Sequence, residues 1–598
     1  MFALAAVLRL WGLFHDLPWS YYGDELHLVK RAMAMGTGDL NPHWFTKPAG
    51  LMYMLLFVFG VFYVAGAASG RFSSPAEFGA QFLADQGPFL LLGRLLVLAL
   101  GLAAILFTWL IGRRLLRHPA GAFAVTSVVA FLPVFVLGSQ YVKEDVPSAA
   151  FALVGLWLIL GAGESGRARQ WFLAGIFLGL STAIKYYGVL FLPTAWLMAW
   201  RAPRRAAGGA CDRRVALLAT TAAFLLATFL GTPYSFLDPT FGSELRRRID
   251  SFFAGDLPAF SPDNGVVFTY GPGAVPGALR HVLALALDPV VAGPLLLLLA
   301  ALGMLAAFGQ SHLRRRFALL SLPLLGFGLL ATTLHAYHPS PRHFAALLPL
   351  LVLFAWLGAC RLARPLARHL ALPRSLSATA ILLLAAVPNV RESLLRTAEL
   401  ARLDSRVVAT RWLFAQLPRD ERILLDDYGP VLPLSPRAAA RQLAVLDTLP
   451  GGEAFTAFQR QRLELSMRHP AEPAFDVDEL GHPWWSPTEL DEATIRSDPR
   501  HRAMANPLKR YLPPPIAGLC AEGYRFVITN SMAMSRYDSP EGQRDFPGYA
   551  RFYRELARLT PLVRFDPREF DGKGPVVLVY RLPCESLAAR LYSRSANS

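Results

Sequence analysis

The sequence predicts a polytopic α-helical membrane protein of about eleven spans, with a C-terminal extracytoplasmic α/β domain. Three observations predict it. The 598-residue chain is 54% hydrophobic and only 17% charged, whereas charged residues make up about a quarter of a soluble chain. Apolar runs of bilayer length recur through the first two thirds and stop near Asn389. From Val390 the composition turns soluble, and candidate strands alternate with candidate helices. The expected division is therefore residues 1–390 against residues 391–598.

Charge and cysteine usage narrow the function classes. The net charge is +16, but the basic residues cluster in short loops between apolar runs. That is the positive-inside pattern of a protein embedded in a lipid bilayer, with no nucleic-acid partner. The four cysteines form no CxxC pair, so no metal or redox site is suggested. Cys211 and Cys360 fall at predicted cytoplasmic ends and read as reduced thiols. No GxGxxG or GxxxxGK[ST] stretch occurs, so a soluble nucleotide-sugar or ATP site is not supported.

Met1 to Phe14 is apolar but short for a span, which needs about 20 residues. It has no basic n-region and no small-residue cleavage site. It reads as the latter part of a longer first helix and not as a signal peptide. The next runs are Leu51 to Ala68, Phe89 to Gly112, Ala120 to Gly138 and Ser148 to Gly163. Arg113, Arg114 and Arg117 follow the second of these, and Arg167 and Arg169 follow the fourth. Positive-inside places both basic loops in the cytoplasm. With Asp24 outside, residues 51–68 must cross an even number of times, most simply none. They are read as a helix on the outer face, with Gly60 and Gly66 as places for a break. The first outer segment then covers residues 15–87.

The same rule makes 171–200 two short spans, with Lys185-Tyr186-Tyr187-Gly188 at the outer tip. Residues 214–230 go out, 289–308 come in, 317–334 go out, 344–360 come in and 375–390 go out. A long outer loop joins Thr232 to Asp288. Asp24, Asp145, Lys185 and Arg342 all share one outer face in this reading, and the C-terminus lies on that side. Beyond it, Ser405 to Gln416 and Tyr549 to Leu559 read as helices. Arg422 to Leu425, Tyr524 to Thr529 and Val576 to Tyr580 read as strands. Cys520 precedes one strand and Cys584 follows another. They come close if those strands are antiparallel neighbours, and the sequence leaves a disulfide open.

The chemistry concentrates in WSYYGDELHLVKRAMAMGTGDLNPHWFTKP, residues 19–48. Asp24 and Glu25 follow an apolar segment directly. Paired carboxylates at a membrane boundary are costly to place and are functional candidates, with Asp24 as a general base. The structural alternative is that they cap the helical stretch Leu26 to Met35. Asp145, in SQYVKEDVP beside Lys143 and Glu144, is a second acidic candidate for catalysis, or for binding the acceptor or a divalent metal through oxygen ligands; the alternative is a solvated turn. Lys47, Lys185, Tyr186 and Arg342 come from three outer-boundary segments and suit a phosphate-linked lipid substrate. The alternative is that each cation meets lipid headgroups. His335, His338 and His343 have HxxH spacing, but Pro339 and Pro341 break a helix there, so proton transfer or hydrogen bonding fits better than metal. Trp484-Trp485 could stack on a sugar or pack at an interface.

Five pieces then combine. RLWGLFHDLPWSYYGDE, GDLNPHWFTKP, KEDVP, GLSTAIKYYGVLFLP and PRHFAALLPLL together resemble the dolichyl-phosphate-mannose protein mannosyltransferase family. Its bacterial relatives include lipid A aminoarabinose transferases, and these are GT-C enzymes of glycosyltransferase family 39. The resemblance covers roughly residues 1–360. DSRVVATRWLFAQLP and ILLDDYGPVLP resemble the extracytoplasmic domains of bacterial members. The resemblance implies a polyprenyl-phosphate sugar donor, inverting single displacement, no cofactor and no metal. It implies that Asp24 is the catalytic aspartate with Glu25 its neighbour, and that Asp145 is the second-loop aspartate. Lys47 matches a K-P-P-like motif in which Ala49 replaces the second proline. Lys185 matches a T-K-type position in which Ile184 stands for threonine. Arg342 matches an R-Y-type motif in which His343 replaces the aromatic residue.

The expectation is sugar transfer from a polyprenyl-phosphate donor to an extracytoplasmic acceptor (protein, lipid or glycan) at a bacterial-type inner membrane. A lipid-linked sugar flippase is the transport alternative. It requires polar residues deep in several spans, and the mid-span regions here are almost uniformly apolar. A non-catalytic assembly protein is the third class.

Overall fold

The computed structural model describes residues 1–45, 47–116, 118–201, 211–239, 241–243, 246, 258–260, 267–269, 275–333, 340–369, 371–448, 454–482 and 508–585. The chain forms two compact units. One comprises Met1–Phe14, Tyr22–Gly60 and Leu90–Ala401; the other comprises His15–Tyr21, Val61–Phe89 and Arg402–Ser598. The first unit runs on past the boundary expected at 390, because Val387–Ala401 is one continuous helix. The outer segment expected over residues 15–87 is shared between the two units.

The first unit is helical. Among the described residues, Gly50–Ala68, Gly87–Leu115, Asp145–Ser165, Arg213–Gly231 and Leu348–His369 are long and apolar enough to cross a membrane. The pair Arg374–Ala385 and Val387–Ala401, bent by 43°, adds a sixth span if taken together. Shorter apolar helices such as Phe2–Trp11, Pro119–Phe131 and Gly293–Gly309 complete a multi-pass membrane protein. Gly50–Ala68 is unbroken at Gly60 and at Gly66. A Cβ at Gly66 would lie 2.2 Å from the Phe72 ring, so this glycine makes room for a neighbour and not for a kink.

Close backbone approach holds these helices together. A Cβ on Gly303 would lie 1.8 Å from the Phe354 carbonyl oxygen, and one on Gly358 2.0 Å from that of Leu299. Glycine at both positions lets Gly293–Gly309 and Leu348–His369 meet backbone to backbone, as small residues do in membrane helix pairs. Two breaks shape the site. Pro133 disfavours helical backbone at Leu132, which is extended at ψ 134° and separates Pro119–Phe131 from Pro133–Leu137. Helix Ala168–Ile184 stops at Lys185, which is extended, and a 3-10 turn Tyr186–Phe191 leads into Leu192–Trp200. This unit also carries a short antiparallel ribbon of β1 (Pro258–Phe260) and β2 (Val267–Thr269).

The second unit contains a five-stranded sheet. Its strands are β3 (Arg422–Asp426), β4 (Asp476–Leu480), β5 (Tyr524–Asn530), β6 (Val563–Phe565) and β7 (Val577–Arg581), in the order β4-β3-β5-β7-β6. β3 is parallel to β4 and β5, while β7 is antiparallel to β5 and β6. Alternation along β3 sends Ile423 and Leu425 to one face, where they pack with Ala409 and Leu413 of helix Ser405–Gln416. Leu424 goes to the other face, with Leu519, Tyr549 and Leu556. Because β5 and β7 are antiparallel neighbours, Cys520 and Cys584 meet in a disulfide with Cα atoms 5.2 Å apart. Segment His15–Tyr21 joins this unit: Lys573 pairs with Asp16 at 2.8 Å, and the Arg406 guanidinium lies 3.9 Å over the Tyr21 ring.

Candidate active site

Helix Gly23–Met35 opens the site. Its N-cap is Tyr22, which makes no side-chain capping bond, so neither Asp24 nor Glu25 caps the helix. Both carboxylates lie in the first turn, where the helix dipole favours negative charge. Their side chains diverge. Glu25 is fully buried and accepts from Arg94 Nε at 2.9 Å and Nη2 at 2.8 Å. It also accepts from the Val142 backbone N–H at 2.9 Å. Arg94 in turn donates to the Leu13 carbonyl at 2.9 Å. One buried pair thus ties helix Gly23–Met35 and helix Gly87–Leu115 to the strand of chain that carries Lys143, Glu144 and Asp145. Glu25 faces this pair and not the cations around Asp24.

Asp24 turns to the cations. Its Oδ2 contacts Lys143 Nζ and lies 3.5 Å from Arg342 Nη2, while its Oδ1 is 3.5 Å from Lys47 Nζ. Lys47 reaches Glu144 at 3.1 Å, and Lys185 lies 3.7 Å from Glu144 and contacts Asp145 directly. Arg342 Nε is 3.9 Å from Asp145, and its Nη1 donates to the Tyr22 hydroxyl at 3.0 Å. Four cations and three carboxylates therefore form one network drawn from five stretches of chain. Beside it lies a cleft lined by Tyr22, Lys143, Asp145 and Arg342, with an apolar wall that includes Val134 and Leu137.

Burial and charge work against each other here. Burial pushes the Asp24 carboxyl up, but Lys143, Lys47 and Arg342 outweigh it and bring its pKa down to about 2. Burial lowers Lys143, and Lys47 and Arg342 repel its charge, so despite Glu144 and Asp24 it falls to about 8. Glu144 is buried, yet Lys47, Lys143 and Lys185 hold it well below the usual carboxylate range. Arg342 is raised against the cost of burial by Tyr22, Asp145 and Asp24, and the Tyr22 phenol is pushed up to about 12, mainly by burial.

The remaining expected residues stand at the margin. The Tyr186 hydroxyl donates to the Phe45 carbonyl at 3.3 Å and its ring stacks on Phe241. His343 accepts from the Ser340 N–H through Nδ1 at 3.2 Å, and its ring meets Tyr187 edge-on at 5.6 Å. His335, His338, Trp484 and Trp485 lie outside the described residues. The sequence reading did not single out Arg94 or Tyr22. Arg94 had a signal, because an ionisable residue inside an apolar run is a functional or pairing candidate by default. Tyr22 had none, since a tyrosine near a membrane boundary is ordinary.

Residues 90–231 match the family model of dolichyl-phosphate-mannose-protein mannosyltransferase. Over that stretch the chain is similar to a family of membrane mannosyltransferases. The matched stretch carries Arg94, Lys143, Glu144, Asp145 and Lys185. Among solved structures, it is similar to ArnT from Cupriavidus metallidurans bound to undecaprenyl phosphate, at 13% identity over 97% of each chain with a TM-score of 0.48. It is also similar to the apo state of that protein, at 14% identity over 96% of each chain with a TM-score of 0.44. A third likeness is to the Archaeoglobus fulgidus oligosaccharyltransferase tethered with an acceptor peptide. There the identity is 12%, the coverage 92% of this chain and 71% of that one, and the TM-score 0.40. No curated protein sequence matches this chain.

Proposed function

We propose that the transferase moves one sugar, with inversion, from a polyprenyl-phosphate donor to an extracytoplasmic acceptor. Asp24 is the general base. The observation that carries this reading is the convergence of Lys47, Lys143, Lys185 and Arg342 on Asp24, Glu144 and Asp145 beside a part-apolar cleft. Four positive charges over three negative ones leave room for one anion, and a singly charged phosphodiester beside an apolar wall fits a lipid-linked sugar donor. The donor class named in the matched family model agrees with this.

In the reaction, the acceptor oxygen forms a bond to the anomeric carbon as the bond to the carrier phosphate breaks. The acceptor proton passes to Asp24, and the new negative charge on the phosphate is held by Lys143, Lys185 and Arg342. At a pKa of about 2, Asp24 is a poor base while its cations surround it. A bound phosphate competes for those same cations, which loosens their hold on Asp24 and raises its basicity. Donor binding thereby prepares the base. Glu25 and Arg94 act through position, keeping Asp24 in register with Lys143. The reading places the site on the outer face of a bacterial-type inner membrane, in keeping with the basic loops on the other side.

The experiment is transfer of radiolabelled sugar from polyprenyl-phosphate donors in membranes carrying wild type or Asp24→Asn. The variant should fold and lose transfer by about a hundredfold or more, the range for removing a positioned base. Wild-type transfer in the variant would overturn the assignment.

A further inference from the structure

Along helix Gly23–Met35, Arg31 lies seven residues after Asp24, close to two turns and about 10 Å along the axis on the same face. Its guanidinium stands 4.7 Å over the ring of Trp44. Lys47 Nζ is 5.6 Å from that ring, and the His27 ring stacks against it at 5.9 Å and 18°. The loop that presents Trp44 is pinned: Asn41 Nδ2 donates to Asp238 at 2.7 Å, and the Tyr53 hydroxyl donates to the Leu40 carbonyl at 2.9 Å. Trp44 is therefore a fixed platform one step beyond Lys47.

Arg31 differs from every cation around Asp24. Among the described residues it forms no ion pair, and its Nε is buried without a hydrogen-bond partner. Burial brings its pKa down to about 10 with no carboxylate opposing the fall. A half-buried guanidinium held over an aromatic face, with no counter-charge, is arranged to receive one. Burial and the charges of Arg31 and Lys30 also pull His27 down to about 4, so it adds no further positive charge near neutrality.

The two oxygens of Asp24 face different neighbours. Lys143 and Arg342 meet Oδ2, on the side of the cleft, and Lys47 meets Oδ1, on the side of Trp44 and Arg31. In a single displacement the leaving phosphate and the attacking acceptor approach the anomeric carbon from opposite sides. We infer that Arg31 and Trp44 form an acceptor subsite for an oxyanion, a phosphate or carboxylate group, about two helical turns from the hydroxyl that Asp24 deprotonates. This rests on the proposed transfer reaction and adds the acceptor's charge to it. Trp44 supplies a face for the acceptor's ring or chain, and Arg31 supplies two or more N–H donors to its anionic group.

The test uses the full chain in proteoliposomes with radiolabelled polyprenyl-phosphate sugar and a membrane extract as acceptor source. Methyl phosphate is the competing probe. Arg31→Ala, Arg31→Lys and Asp24→Asn are compared with wild type, with thermal melts to check folding. At saturating donor, which occupies the carrier-phosphate site, Arg31→Ala should raise the acceptor KM and the methyl phosphate inhibition constant by about tenfold or more, the worth of one charge-assisted contact. The donor KM should stay within about twofold, and Arg31→Lys should recover part of the loss. The labelled product should bind an anion exchanger. A neutral product, a rise confined to the donor KM, or an effect seen only when anionic lipid is left out of the vesicles each overturns the subsite. Activity in Asp24→Asn overturns the transfer reading itself. Loss of activity there with an unaffected Arg31→Ala rejects the subsite alone.

Discussion

Arg94 donates to both carboxylate oxygens of Glu25, at 2.9 and 2.8 Å, and neither side chain touches solvent. This pair joins two helices and, through Val142, the turn that presents Lys143, Glu144 and Asp145. Breaking it by one partner leaves a buried charge uncompensated, at a cost of about 3–5 kcal/mol. Glu25→Gln and Arg94→Met should each lower the thermal midpoint markedly and abolish transfer. The double variant Glu25→Gln/Arg94→Met should be less destabilised than the sum of the two, because neither charge is then stranded. Additive losses in a melting series would show that the pair is not coupled.

Lys143 introduces a pH limit. With its ammonium brought down to about 8, it loses its charge as pH rises through that value in the free enzyme. In the proposed reaction the donor phosphate then loses one of its cations. Transfer measured as kcat/KM for the donor should fall on the alkaline side of about pH 8. In Lys143→Arg, where the cation does not titrate, that alkaline limb should move well upward. A limb unchanged in the variant would assign it to another group.

Arg342 reaches Asp24, Asp145 and Tyr22 at once. Arg342→Lys keeps a charge but cannot span the three. Donor KM should rise by about tenfold in Arg342→Lys and further in Arg342→Ala, the scale of lost charge-assisted contacts. Donor titrations of purified variants read this directly. Equal donor KM in wild type and Arg342→Ala would remove Arg342 from the phosphate site.

The Cys520–Cys584 bridge closes a sequence separation of 64 residues. Cross-links over loops of this order stabilise by about 4 kcal/mol in the chain-entropy account. Cys520→Ser/Cys584→Ser should therefore unfold the sheet-bearing unit at lower denaturant, read by proteolysis of residues 402–585. The helical unit should keep its own resistance. Identical protease sensitivity with and without the bridge would contradict this.

Gly303 and Gly358 allow a crossing that any side chain would block, since the nearest backbone atoms stand 1.8 and 2.0 Å from where a Cβ would be. Gly303→Val should abolish the folded protein in membranes. A substitution at Gly309, which meets nothing within 4 Å, should be tolerated. Expression and detergent-extracted size profiles distinguish the two.

Much of the architecture is local and so was legible in the residues. Apolar runs set the helices, and the break at Lys185 falls where the basic ends of 171–200 put the outer tip, while the run Ala120–Gly138, read as one, is broken at Leu132 by Pro133. Helix Ser405–Gln416 and strands β3, β5 and β7 lie where apolar and β-branched patterning puts them. Strand β4 did not announce itself, because its sequence DVDEL is rich in residues depleted from strands. It forms because β3 offers a parallel partner and because Arg422 and Arg441 take up Asp478 and Asp476.

The site divides along the same line. The sequence by itself determined that Asp24, Lys47, Asp145, Lys185 and Arg342 stand as charges at the ends of apolar runs, because the cost of burying a charge in a bilayer confines it there. Only the tertiary structure decided which charges meet. It brought these residues together with Lys143 and Glu144, turned Glu25 away to Arg94, and left Arg31 over Trp44 with no counter-charge among the described residues. Coulomb interactions act over a few ångströms in space, whereas these residues are separated by up to hundreds of positions in the chain. Which pairs form is therefore a property of the helix packing and not of any single stretch.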